Sequence, residues 1–276
     1  MEGFFEPFGY EFFRHGMWAA VMVGALCGMI GVYIVLRGMS YIGHGLSHAS
    51  FGGAVVGYTM NLNFYVGAAI MGFFAALLIH QLTKGKKIKS DAAIGIVTTA
   101  FFAIGVALIS RVRSFTQSFE AALFGNILGV GPLDLWVIGG VLLMTTLVLF
   151  FFYKPLLFTT FDPDAAQVFG IKTEWVQVLF SLVLALAIIA SMNIVGVTMI
   201  AATLVIPAST ARLATDSFSR MVIFSTILGA FMGVTGMYGS YYFDAASGAT
   251  RVGTIVQDLR TFSQWRDADL YPVDVH

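Results

Sequence analysis

Residues 17–36 read MWAAVMVGALCGMIGVYIVL, twenty consecutive positions without one Asp, Glu, Lys or Arg. At ~1.5 Å of rise per residue, a helix of that length spans ~30 Å, the thickness of a bilayer's hydrocarbon core. A helix also satisfies its own backbone hydrogen bonds, which lipid cannot do. The stretch is therefore read as a membrane-spanning helix. The residues before it carry Glu2, Glu6 and Glu11 and lack the basic region of a cleavable signal, so the run is expected to stay as a span. Further apolar runs follow at roughly 42–60, 64–82, 92–109, 133–153, 174–190, 194–213 and 220–240. The expected fold is all-α: a polytopic transmembrane helical bundle of about eight spans.

Composition agrees. Of 276 residues, 58% are hydrophobic and 11% charged, where a soluble domain carries about 25% charged residues. The formal net charge is zero, so no global field points to nucleic acid or another polyanion. The single cysteine, Cys27, lies inside an apolar run and reads as a small buried hydrophobe, which leaves no intrachain disulfide and no Cys-based metal site.

Basic loops set the orientation. Lys84, Lys86, Lys87 and Lys89 lie between the third and fourth runs, and Arg37 between the first and second. Lys154 and Lys172 flank the connection after the fifth, and Arg212 and Arg220 the one after the seventh. With eight spans all four loops share one side, the cytoplasmic one, and both termini face outward. Arg111 and Arg113 fall on the opposite side and run against the rule.

Two connections are unusual. Residues 155–172 (PLLFTTFDPDAAQVFGIK) contain Asp162-Pro163-Asp164, a helix-start signal, and Gly170, a stop signal. They predict a short helix near 163–169. Residues 114–131 are too long and apolar for a plain loop and are expected to form an outer-face or re-entrant element. The chain is expected to divide into a transmembrane domain, 1–243, and a polar tail, 244–276, which holds eight of the thirty charges.

The candidate chemistry sits in the second run. His44 and His48 lie four residues apart in Gly43-His44-Gly45-Leu46-Ser47-His48-Ala49. On a helix this spacing puts both imidazoles on one face, ~6 Å apart, where they can ligate one transition metal. The other reading is a pair that hydrogen-bonds neighbouring helices. Gly45 stands where a zinc protease helix would carry glutamate, so that chemistry does not apply. His15, His80 and His276 read as interfacial side chains, Asp134 and Glu174 as solvated groups at span entrances, Asn193 as a turn residue and Asp91 as a cap. Pro207, inside the seventh run, removes a backbone hydrogen bond and is expected to kink that helix. No lysine lies in a Gly-Lys-Ser/Thr sequence, so there is no P-loop for ATP hydrolysis. No charge pair lies inside the spans to drive a proton- or sodium-coupled carrier.

The stretch Arg37-Gly-Met-Ser-Tyr-Ile-Gly-His44-Gly-Leu-Ser-His48-Ala resembles the membrane permease subunits of bacterial ABC importers for manganese, zinc or iron (the ABC-3 family). Further blocks agree in order. They are Asp91-Ala-Ala-Ile-Gly95, Leu123-Phe-Gly125-Asn-Ile-Leu128, Asp162-Pro-Asp164-Ala-Ala-Gln-Val-Phe-Gly170, Val195-Gly196 through Pro207-Ala208, and Ser247-Gly-Ala-Thr250. Together they cover roughly residues 35–255.

The resemblance implies a permease homodimer in a bacterial plasma membrane. Two separate ATPase subunits would dock on a cytoplasmic coupling helix carrying Asp162, Pro163, Asp164, Ala165, Ala166 and Gly170. An extracytoplasmic metal-binding protein would deliver the ion, and His44 and His48 would line its path. No permanently bound cofactor, no enzymatic activity in this chain and no nucleic-acid partner are expected. The favoured cargo is Mn²⁺, then Zn²⁺ or Fe²⁺. His44 stands where many members carry Asp, and a His pair is a softer donor set than Asp plus His. Members often continue past Ser-Gly-Ala-Thr into a last apolar span, whereas Arg251, Asp258 and Arg260 follow here. The rival readings are a metal-dependent intramembrane enzyme, an ATP-independent metal carrier and, nearer, a siderophore-type ABC permease.

Overall fold

The computed structural model describes residues 6–84, 88–111 and 123–243. Among these residues ten α-helices form and no strand does. They are α1 (Glu11–Leu36), α2 (Ile42–Thr59), α3 (Phe64–Lys84), α4 (Ser90–Arg111), α5 (Pro132–Phe151), α6 (Tyr153–Phe161), α7 (Pro163–Val168), α8 (Thr173–Val195), α9 (Ile200–Ala214) and α10 (Phe218–Phe243). Six of them, α1, α3, α4, α5, α8 and α10, are long and apolar enough to cross a membrane. The other two expected spans fall on α2 and α9. Glycine, serine and histidine dilute the apolar character of α2, and the 15 residues of α9 reach only ~22 Å.

Helices α1 and α8 form the centre. Two-thirds of each apolar window is buried, against 17% for α5 at the periphery. Lipid offers no hydrophobic drive for helices to associate, so close backbone packing must hold them together. Small residues permit that approach. Gly24 of α1 faces the Gly229 backbone of α10. One turn on, Gly28 faces Ser225, whose hydroxyl donates to the Gly28 carbonyl at 2.5 Å. Helix α2 repeats the device on two sides, with Gly52 against Phe101 and Gly105 of α4, and Gly53 and Gly57 against Gly67 of α3.

The short helix expected near 163–169 is α7. Asp162 caps it, its Oδ1 accepting from the Ala165 N–H at 2.8 Å, and Pro163 occupies the first helical position. Beyond its end, Gly170 takes a φ of +79° that suits glycine. Its N–H donates to the Gln167 carbonyl, and the Ile171 N–H to that of Ala166. The preceding residues 153–161 are also helical, whereas the sequence predicts no helix between the end of the fifth run and residue 163. Pro155 lies in the first turn of α6, where its missing N–H breaks no helical bond. Asp91 falls inside the first turn of α4.

Of the region expected to be an outer-face element, residues 114–122 lie outside the described residues. The remainder makes one 3-10 turn, Ile127–Gly129, whose capping Asn126 accepts from the Gly129 N–H at 3.0 Å. This segment packs on the turn between α8 and α9. The Thr198 N–H and hydroxyl both donate to the Leu123 carbonyl, and the Asn126 N–H donates to that of Asn193. Lys86, Lys87, Arg113 and the expected tail, 244–276, also lie outside the described residues.

Candidate metal-ion site

Helix α2 begins immediately after a tight turn at residues 37–41 and is buried along most of its length. Gly43 packs against Leu204 of α9, and Gly45 against Ile94 and Thr98 of α4. Ser47 is fully buried. Its hydroxyl lies 2.9 Å from the His44 carbonyl and 3.0 Å from the Val197 carbonyl, and it donates its proton toward both. These contacts fix the rotation of α2 about its axis, and so the direction of His44 and His48.

The two imidazoles are adjacent, with ring centroids 4.3 Å apart and planes at 77°. His44 is exposed and His48 is buried. On its far side His48 meets the ring of Phe102 edge-to-face, at 4.6 Å. Its Nδ1 is buried and has no hydrogen-bond partner among the described residues. Burying such an atom unpaired costs ~1–3 kcal/mol, so a site of this kind calls for an explanation such as a ligand. The alternative expectation, imidazoles engaged with neighbouring helices, finds no support at Nδ1. Among the described residues no group of three His, Cys, Asp or Glu side chains forms a site that could hold a metal ion. One copy of the chain therefore brings two imidazoles to a point that is open on the His44 side.

Phe51 and Val55 of α2, with Val197 of the α8–α9 turn, form a separate apolar cluster, and Phe102 and Leu123 pack against it. It adjoins His48 through Phe102. Toward the α2 start lies a cavity of about 410 Å³ with a different character. It is lined by Arg37, His80, Asp164, Gln177 and Ser181 among other polar side chains. His80, expected at the interface, faces this cavity. Pro207 lies within α9 and is buried.

Two residues expected to be merely solvated have partners. Asp134, at the start of α5, accepts from the Tyr65 hydroxyl of α3, from the Gly131 N–H at 2.9 Å and from the Asn193 amide at 3.5 Å. It ties three helices together at one end of the bundle. Asn193, expected in a turn, belongs to the last turn of α8. Glu174 of α8 pairs with Lys84 of α3 at 2.9 Å. Only the apolar flanks of these residues are visible in the chain; partners up to 90 positions away carry no local signal.

Residues 9–260 match the ABC 3 transport family. The manganese transport system membrane protein MntC of Halalkalibacterium halodurans is 38% identical over 249 residues, 90% of this chain and 85% of that one. The probable iron transport system membrane protein of Haemophilus influenzae is 33% identical over 247 residues, 90% of this chain and 87% of that one. Among solved structures, PsaBC from Streptococcus pneumoniae in complex with Fab aligns with a TM-score of 0.83 and 35% identity, over 92% of this chain and 91% of that one. With nearly its whole length matched in sequence and in fold, the chain belongs to the ABC 3 transport family.

Proposed function

We propose that this chain is the permease through which an ATP-driven importer moves a divalent transition metal ion into the cell, Mn²⁺ first, with Zn²⁺ or Fe²⁺ next. The relatives' names support the metal class, and manganese is the one named in the relative of higher identity. The family makes the chain a transporter component in a bacterial plasma membrane rather than an enzyme. In this reading α2 and α9 also cross, giving eight spans, and two copies of the chain enclose the path. Two ATPase subunits dock on α7, through Asp162, Pro163, Asp164, Ala165, Ala166 and Gly170. An extracytoplasmic metal-binding protein hands over the ion. Pro207 weakens α9 at a point where it can bend.

One observation carries the reading: two adjacent imidazoles on a buried helix, one of them with an unpartnered ring nitrogen. Polar groups inside a membrane segment are costly and mark pathways. Imidazole suits the borderline first-row metals, and ions in transit need a site weak enough to release them. The exposed face of α7 supports ATPase docking, since Val168 and Phe169 at its end are 85% and 75% exposed.

The test is uptake of labelled Mn²⁺ and Zn²⁺ into vesicles holding the permease with its ATPase and delivery partners, for the native chain and His48→Ala. ATP-dependent uptake of one metal, lost in a variant that still reaches the membrane, supports the proposal and names the cargo. Native-level uptake by His48→Ala refutes the role of the pair. Uptake indifferent to ATP favours the ATP-independent carrier.

A further inference from the structure

Arg37 is the C-cap of α1, and its side chain leaves that helix for a different part of the molecule. Its Nε donates to the Thr160 hydroxyl at 3.1 Å and its Nη2 to the Thr159 hydroxyl at 3.2 Å, both near the end of α6. Each threonine donates its own proton back to the Leu156 carbonyl, at 3.1 Å for Thr159 and 2.6 Å for Thr160. Their lone pairs are thereby left free to accept from the guanidinium. The guanidinium also lies over the ring of Phe180 in α8, 4.2 Å from its centroid. Among the described residues no carboxylate lies within 4.0 Å of it. Burial lowers its pKa to about 10, so the charge persists at neutral pH.

The links on either side of this contact are short. Toward α7, Thr160 is followed by Phe161, the last residue of α6, and Asp162, the cap of α7. Toward the histidines, Gly38 turns the chain with a φ of +66°. The Gly38 N–H donates to the Val35 carbonyl, the Met39 N–H to that of Ile34, and the Ile42 N–H to that of Met39. Bonds at three points along 38–42 stiffen this turn. Helix α2 starts at Ile42, and His44 lies in its first turn.

We infer that Arg37 is the positioning residue through which displacement of α7 reaches the His44–His48 pair. This rests on the transport reading above. Neutral acceptors and a ring suit the role. A buried carboxylate partner would weld α1 to α6, whereas two hydroxyls and an aromatic face hold the guanidinium in register and let it shift. The cavity beside it, which Asp164 of α7 also lines, gives the side chain room to move.

The experiment uses the assembled importer in vesicles and measures ATP hydrolysis and metal uptake together. The chains compared are the native one, Arg37→Gln, Arg37→Lys and the double variant Thr159→Val with Thr160→Val. In Arg37→Gln, subunit assembly and hydrolysis are expected to persist while uptake per ATP falls by roughly tenfold, the scale on which residues along a coupling route act. The valine pair, which keeps the shape of threonine without the hydroxyl, should reproduce that loss with Arg37 intact. Arg37→Lys keeps the charge but not the fork and should fall between the native chain and Arg37→Gln. Unchanged uptake per ATP in the valine pair overturns the inference. So does a parallel loss of assembly, hydrolysis and uptake in Arg37→Gln while the valine pair stays native, because that pattern describes a residue needed only for folding. A native importer without ATP-dependent uptake instead sinks the transport reading itself.

Discussion

The seam between α2 and α4 sets the position of the histidines, and Gly52→Ala tests it directly. Gly52 sits one turn beyond His48. A Cβ placed there would lie 2.5 Å from the Phe101 carbonyl oxygen, 3.3 Å from its carbon and 3.8 Å from the Gly105 Cα. Ordinary contact begins at 3.4 Å, so the helices must part by about 0.9 Å. The obstacle is backbone, and no rotamer change relieves it. Phe102 follows the obstructing residue and holds the His48 ring at 4.6 Å, so the separation acts on the site as well as on the seam.

Overpacking of this kind costs ~1–3 kcal/mol. A misplacement of ~1 Å can also cost a functional site far more than it costs the fold. The assay pairs thermal unfolding of the detergent-solubilised permease with metal uptake in vesicles. Gly140→Ala serves as control, since a Cβ on α5 there meets nothing within 4 Å. Gly52→Ala is expected to melt at a clearly lower temperature than Gly140→Ala and to lose most uptake. Equal melting temperatures for the two variants would refute the claim that backbone contact sets the α2–α4 distance.

Two further outcomes follow from polar contacts. Asp162→Ala removes the cap of α7, an effect of about 1 kcal/mol on that helix, and should weaken co-purification with the ATPase subunit while the amount of permease in the membrane stays constant. Asp134→Ala leaves the Tyr65 hydroxyl and the Gly131 N–H without their acceptor and should lower stability by ~1–3 kcal/mol, read as a lower melting temperature in detergent.

Much of this architecture is legible in the chain because membrane spans are written in long runs of one kind of residue. The eight apolar runs fall on the helices α1–α5 and α8–α10, with ends displaced by up to six residues, and six of these helices are long and apolar enough to cross a membrane. The short helix in the 155–172 connection is legible for another reason. Asp162-Pro163 and Gly170 are local punctuation that acts within one turn. Helix α6 is missed because no start signal like Asp162-Pro163 precedes it: its N-cap, Phe152, makes no side-chain capping bond. Asp134, Glu174 and Arg37 are misread or under-read for a common reason. Each lies at a helix end, where solvation is the default, and each finds partners on helices far away in sequence. The i, i+4 spacing puts His44 and His48 side by side, as the rings are, but it does not reveal that one is buried and the other exposed.

That asymmetry bears on how the proposed path would work. A resident metal site is closed by three or four ligands, and two imidazoles alone leave most of the ion's coordination to water or to another chain. Here the open side belongs to His44, the residue nearer the turn that Arg37 anchors, while His48 lies deeper against Phe102. On the transport reading, an ion held by this pair would keep part of its hydration and would leave when the geometry shifts slightly. Tight, fully coordinated binding would serve storage or catalysis and would stall conduction. On the transport reading, then, the small number of ligands is a functional property. Movement of α2 by a fraction of an ångström changes the affinity of such a pair, and α2 is the helix to which the contacts of Arg37 and Gly52 lead.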